Sequence, residues 1–341
     1  MNIGSGTAGF PSIADCYLRG TRILTVDGEV PVEDLSEGYM IVTASGATRP
    51  VKWIGKRGYV TRLVSQHQRE NVLPIRFVRG SLGEGLPKRD LFVSPEHMMF
   101  LDGVLIPARH LVNGTSIAWC DAFPTIEYFH VELPSHDVIL AEGAAAESWL
   151  DMGNRNMFAN VLEYQASEDE AQGQPCAPIV IDAPQLVAAR SRLQARLAAI
   201  GFELTADPGL HLLADDTIVR GSLAVNNVYR FELPRRPARL AIASLVSVPA
   251  QVDPESTDRR PLGVCVKRIT LKGAHASLEI AHDEPTLAEG YHAAEPGHRW
   301  TTGNAAIPGK FLACFCGPLA VEVELAALNL RYARRTADAG C

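Results

Sequence analysis

Between Thr21 and Trp149 the apolar residues fall in short runs with no sustained 3.6-residue period, and turn-forming dipeptides separate the runs. TRILTV, YMIVTA, PVKWIG, VLPIRFV, DLFVS, HMMFL, VLIPA, TSIAW, EYFHVEL and DVILA are all of strand length. Asp27-Gly28, Glu37-Gly38, Ser45-Gly46, Asp102-Gly103 and Asn113-Gly114 stand where the chain must reverse. This pattern predicts a compact all-β domain over residues 16–155. Residues 184–201, PQLVAARSRLQARLAAIG, change the period. Leu186, Val187, Leu193, Leu197 and Ile200 come near one helical face, Pro184 suits a first turn, and Gly201 suits a C-terminal stop. Beyond this helix, YRFEL, RLAIASLVSV, LGVCVKRITL, SLEIA, KFLACF and LAVEVEL alternate apolar and polar residues, as half-buried antiparallel strands do. The expected organisation is a leader over 1–15, the first β domain over 16–155, a polar linker over 156–177 and a second β-rich domain over 178–335. The fold class is mainly β, with the second domain a sandwich or roll fronted by the one helix.

The length of 341 residues allows two such cores. A net charge of −7 gives no broad positive field, which sets nucleic acid aside as a partner class. Arg190, Arg192 and Arg196 read as a solvated helix face, since no aromatic residue is interleaved with them. The longest uncharged apolar stretch, Phe311 to Val321, contains Gly317 and Pro318 and is shorter than the roughly 18 residues of a membrane span. The segment before Arg19 has no basic residue and no apolar core, so it is no secretory signal. A cytoplasmic protein, or one exported without such a signal, is expected. Seven cysteines are too sparse for a disulfide scaffold, and an odd number cannot all pair within one chain. Cys314 and Cys316 lack a second pair and read as core residues rather than a zinc site. No nucleotide fingerprint is present, and no cofactor or metal is expected.

Candidate chemistry centres on three segments. In the first, Cys16-Tyr-Leu-Arg-Gly20 sets a thiol at the junction between the leader and the first strand. For an isolated cysteine the ordinary reading is a small buried residue at a strand start. The same position also suits a nucleophile attacking the peptide bond just upstream. The second segment is Val93-Ser94-Pro95-Glu96-His97, and the third is Glu132-Leu-Pro-Ser-His136-Asp137-Val-Ile-Leu-Ala141-Glu142-Gly143. Together with PVEDL and VKWIGKR, these segments resemble the diagnostic blocks of the Hint superfamily, the self-processing domains of inteins and hedgehog proteins, in its bacterial hedgehog/intein-like branch. The resemblance covers about residues 14 to 155.

That resemblance implies an all-β disk in which Cys16 is the nucleophile, His97 the amide-activating histidine, Ser94 its hydroxyl companion and His136 the histidine of the last block. The implied reaction is an N–S acyl shift. The thiol attacks the carbonyl of Asp15, a histidine protonates the departing nitrogen of Cys16, and a thioester results. Inteins end in His-Asn, whose Asn cyclises, but the matching place reads Ala-Ala-Ala-Glu147-Ser148-Trp149. Cleavage before Cys16 without full splicing is therefore expected, with the chain's own leader as substrate. A 15-residue leader is too short to fold by itself. Once the thioester forms, the Asp15 carboxylate can reach its own acyl carbon and favour hydrolysis. His130, two residues before Glu132, can point to the same side and support the site. In the second domain Asp258, Arg259 and Trp300 suit a sugar, an aromatic face stacking on C–H groups while charged groups bind hydroxyls. They equally suit a plain surface turn. The alternative to self-cleavage is a silent Hint fold serving as a structural or binding module, with the second domain recognising a glycan or surface protein.

Overall fold

The strands expected between Thr21 and Trp149 form two antiparallel sheets. They are seen in a computed structural model describing residues 16–164, 173–224 and 226–335, which divides after Gly201 into two units. In the first unit one sheet runs in the order Ile117–Trp119, Ile75–Phe77, Leu91–Val93, Tyr17–Leu18, Thr125–Glu132, Trp53–Val60. The other runs Val104–Pro107, Met98–Leu101, Ala144–Glu147, Val138–Ala141, Arg22–Thr25, Met40–Val42, Thr48–Pro50, with Gly28–Pro31 also paired to Arg22–Thr25. Asp102-Gly103 makes a two-residue hairpin with both φ angles positive, 52° and 83°, the backbone that such turns demand.

The period-two alternation sorts side chains to two faces of the first sheet. Tyr17, Val93, Phe129 and Val131 face the main core, where Ile23, Met99 and Ile139 of the second sheet meet them. Cys16, Leu18, Ile126 and Tyr128 face the other way and pack with Trp53, Trp149 and Phe158. The strand Ala144–Glu147 is not evident from the sequence, because alanine has low strand propensity. Pairing with Val138–Ala141 on one edge and at Met99 on the other holds it in place.

The expected linker and domain boundary need correction. Residues 156–177 do not begin as a free linker, since the chain stays packed to Tyr164 through short 3₁₀ turns at Arg155–Met157 and Val161–Glu163. Phe158 is buried, Ala159 N–H donates to the Lys56 carbonyl, and Lys56 N–H donates to Asn160 Oδ1. Aperiodic aromatic packing carries this segment, so periodicity cannot reveal it. The helix forms over Pro184–Ala195, with a 3₁₀ turn at Leu197–Ile200 and Gly201 at φ 88° as its stop. It belongs to the first unit rather than fronting the second. Leu186, Ala189 and Leu193 lie in the first core, and each leucine stabilises it by about 1.5–3 kcal/mol. Val187, expected on the buried face, is exposed. The arginines are not simply solvated either, as Arg192 pairs with Asp102 and Arg196 donates to the Gly80 carbonyl.

In the second unit two larger sheets pack as a sandwich, and a third pairs Phe202–Thr205 with Arg331–Arg334. A four-stranded sheet (Thr217–Arg220, His211–Ala214, Leu240–Ala243, Asn304–Ile307) and a sheet built on Val228–Leu233, Leu319–Ala327, Cys265–Lys272 and Ser277–Ala281 share one apolar core. The expected strand KFLACF is instead the short helix Gly309–Leu312 followed by a turn. Cys314 and Cys316 are consequently exposed rather than core residues.

Candidate active site

Strand Tyr17–Leu18 is paired on both edges, Tyr17 with Val93 on one side and with Phe129 on the other. Continuing both registers by one residue sets Cys16 between Ser94 and His130. Cys16 is fully buried. Its N–H donates to Ser94 Oγ at 2.8 Å, and its carbonyl accepts the Ser94 N–H at 2.8 Å. Ser94 thus holds the nitrogen that an acyl shift would release, and the adjoining carbonyl as well.

His97 follows at the end of the same turn, with its N–H on the Ser94 carbonyl and its own carbonyl accepting from Ala108. Its ring, fully buried, meets the edge of Tyr17 at 4.2 Å between centroids. The Tyr17 hydroxyl donates to the Glu147 carbonyl at 2.7 Å.

His130 lies on the Cys16 face, against Trp149 and Phe158 at 5.5 and 5.6 Å between centroids. It is 1% exposed, and neither ring nitrogen has a hydrogen-bond partner among the described residues. Burial, reinforced by the nearby His97, His136 and Arg155, holds its pKa well below the usual histidine range, so the ring is neutral. A wholly buried imidazole with no such partner is costly.

His136 sets its Nε2 3.3 Å from Glu147 Oε2, with both side chains dry. Its Nδ1 accepts the Cys176 N–H at 3.0 Å, which sets the proton of the neutral ring on Nε2, facing Glu147. Burial lowers the His136 pKa to about 4 and raises that of Glu147 well above the carboxylate range, while the Met98 N–H on Glu147 Oε1, at 2.7 Å, opposes the rise. Sequence reasoning noted Glu147 only as part of the segment standing where inteins end in His-Asn.

Arg155 is a second residue the sequence did not single out. Its guanidinium lies over Tyr164 at 3.5 Å and Trp149 at 4.1 Å and pairs with Glu132 and Asp151. The residues after Trp149 thereby cover the aromatic face on which Cys16 and His130 lie.

The sequence-selected residues Cys16, Ser94, His97, His130 and His136 therefore gather around one strand end, and Asp15 lies outside the described residues. In the second unit, Asp258 connects to Trp300 through Arg260, Glu295 and His298. Asp258 is engaged by Arg260, which also binds Glu295, while Arg259 is exposed and Trp300 leans on His298. No helix among the described residues is long and apolar enough to cross a membrane.

Residues 15–153 match the family described as Hint domain. Among solved structures, the gp41-1 intein is similar at 13% identity and a TM-score of 0.30, with 39% of this chain and 98% of that chain covered. A DnaB intein from Synechocystis sp. PCC 6803 is similar at 13% identity and a TM-score of 0.28, covering 40% of this chain and 100% of the other. No curated protein matches the chain.

Proposed function

Taking residues 15–153 as a Hint domain, of the self-processing class, we propose that the chain cleaves its own peptide bond between residues 15 and 16 by an N–S acyl shift at Cys16, without joining two flanks. Cys16 Sγ attacks the carbonyl carbon of residue 15. The C–S bond forms, the C–N bond breaks, the thiol proton passes to a base, and the released nitrogen gains a proton. The observation that carries this reading is the hydrogen bond from Cys16 N–H to Ser94 Oγ, which orients the leaving nitrogen inside a dry site. His97, held on the Ser94 turn, is assigned the proton to that nitrogen. His130, neutral and facing Cys16 in register, is assigned the thiol proton. The absence of an Asn at Glu147-Ser148 supports cleavage without splicing. Asp15 is assigned to hydrolysis of the resulting thioester.

Intact mass spectrometry of the full chain, with and without added thiol, tests the reading against Cys16→Ala. Loss of residues 1–15 in the wild type alone supports it. An unchanged mass under both conditions overturns it and leaves the silent module.

A further inference from the structure

Glu147 touches three parts of the site at once. Its Oε1 accepts the N–H of Met98, the residue after His97. Its Oε2 stands 3.3 Å from His136 Nε2. Its main-chain carbonyl accepts the hydroxyl of Tyr17, the residue after Cys16 and the one whose ring abuts His97. The strand that supplies Glu147 pairs with Val138–Ala141, just past His136, and at Met99, just past His97, so one residue bridges the segments bearing Cys16, His97 and His136.

The hydrogen-bond inventory restricts what can stand there. The Cys176 N–H on Nδ1 leaves His136 presenting an N–H from Nε2, and Met98 presents a main-chain N–H. Position 147 therefore faces two donors inside a site where its own side chain is 1% exposed. Glu147 Oε1 accepts from Met98, and Oε2 is set against His136 Nε2 at 3.3 Å without hydrogen-bond geometry. A carboxamide of the same size that keeps the Met98 bond on its oxygen must set an NH₂ where the carboxyl sets an oxygen, against the Nε2–H of His136.

We propose that Glu147 is a positioning residue for the acyl shift: its Oε1 holds the His97 turn through the Met98 N–H, its Oε2 packs against His136, and its carbonyl holds Tyr17, so that His97 stays registered on Cys16. This rests on the cleavage reading above, in which Glu147 itself touches no reacting atom.

The test uses the full chain carrying Glu147→Gln or Glu147→Ala, with Cys16→Ala as the blank. Thiol-induced loss of residues 1–15 is followed by intact mass, and the ring signals of His97 and His136 by ¹⁵N NMR on histidine-labelled protein. The expected result is at least a tenfold slower cleavage in both variants, with His97 and His136 signals displaced in Glu147→Gln although its volume is unchanged and its thermal unfolding stays cooperative. A Glu147→Gln chain that cleaves within twofold of wild type, or leaves both ring signals where they were, overturns the inference. A wild type that sheds nothing while Glu147→Gln displaces both rings overturns the cleavage reading and not the bridging by Glu147. If Glu147→Ala fails to fold, Glu147→Gln decides alone.

Discussion

Cys16 and Ser94 are bound to each other twice, N–H to Oγ and carbonyl to N–H, both at 2.8 Å. The hydroxyl is thus part of the setting of the Cys16 peptide nitrogen. Ser94→Ala leaves that N–H buried without its acceptor, at a cost of about 1–3 kcal/mol in stability. The same change is expected to slow cleavage at least tenfold, while Ser94→Thr restores both. Thermal unfolding and intact mass, read on the same samples, check this.

His136 ties stability to pH. Folding lowers its pKa from 6.5 to about 4, so the folded state keeps the ring neutral where the unfolded chain protonates it. The contribution is complete above pH 6.5 and is lost as pH falls toward 4, amounting to roughly 3 kcal/mol. Glu147, shifted upward by burial, contributes with the opposite sign, favouring the folded state where its carboxyl is protonated. Urea unfolding at pH 7 and pH 4.5 is therefore expected to show a larger acid loss in wild type than in His136→Gln. Equal losses would sink the assignment.

Arg155→Met keeps much of the stacking volume but removes the partner of a nearly dry Glu132, leaving Lys52 at 3.0 Å as the nearby cation. Because Lys52 still neutralises Glu132, a loss of about 1–3 kcal/mol is expected, that of a charged hydrogen bond removed. Arg155→Lys should recover only part of it, because a single ammonium cannot reach both Glu132 and Asp151 as the guanidinium does. Chemical denaturation of the three proteins measures the difference.

Phe158→Ala removes a buried ring from His130, with an expected cost of about 3–5 kcal/mol. Water admitted there relieves the desolvation that keeps His130 neutral, so its pKa rises toward the ordinary histidine value. A histidine NMR titration in which His130 still refuses to protonate would contradict this account.

The helix Pro184–Ala195 supplies Leu186, Ala189 and Leu193 to the first core. A chain ending at Gly201 is expected to unfold cooperatively, and one ending at residue 177 to lose several kcal/mol or fail to fold. Circular dichroism melts of the two fragments decide the boundary.

The sheets were legible because half-buried strands announce themselves by alternation, as in EYFHVEL, and because Asp102-Gly103 has the backbone its turn needs. The gathering of Cys16, Ser94, His97, His130 and His136 was legible through spacing and family likeness. Glu147 and Arg155 were not. Glu147 ends an alanine run with no strand signature, and its importance comes from three partners distant in sequence. Arg155 sits in a polar stretch whose order depends on stacking against Trp149 and Tyr164, which no local period encodes. The domain boundary was misplaced for a related reason, since composition marks polarity and not the surface on which a segment packs.

The double pairing of Tyr17–Leu18 gives the chemistry a direction of return. Were the bond before Cys16 to open by the proposed acyl shift, the new α-amine would keep its place, because the strand behind it is stitched on both edges. That amine would stay within a five-membered ring of the thioester it has just left, at very high local concentration. In that proposed reaction the bond would close again unless the acyl group were captured, so the fold would serve as a reversible latch whose release depends on the capturing molecule outpacing the pinned amine.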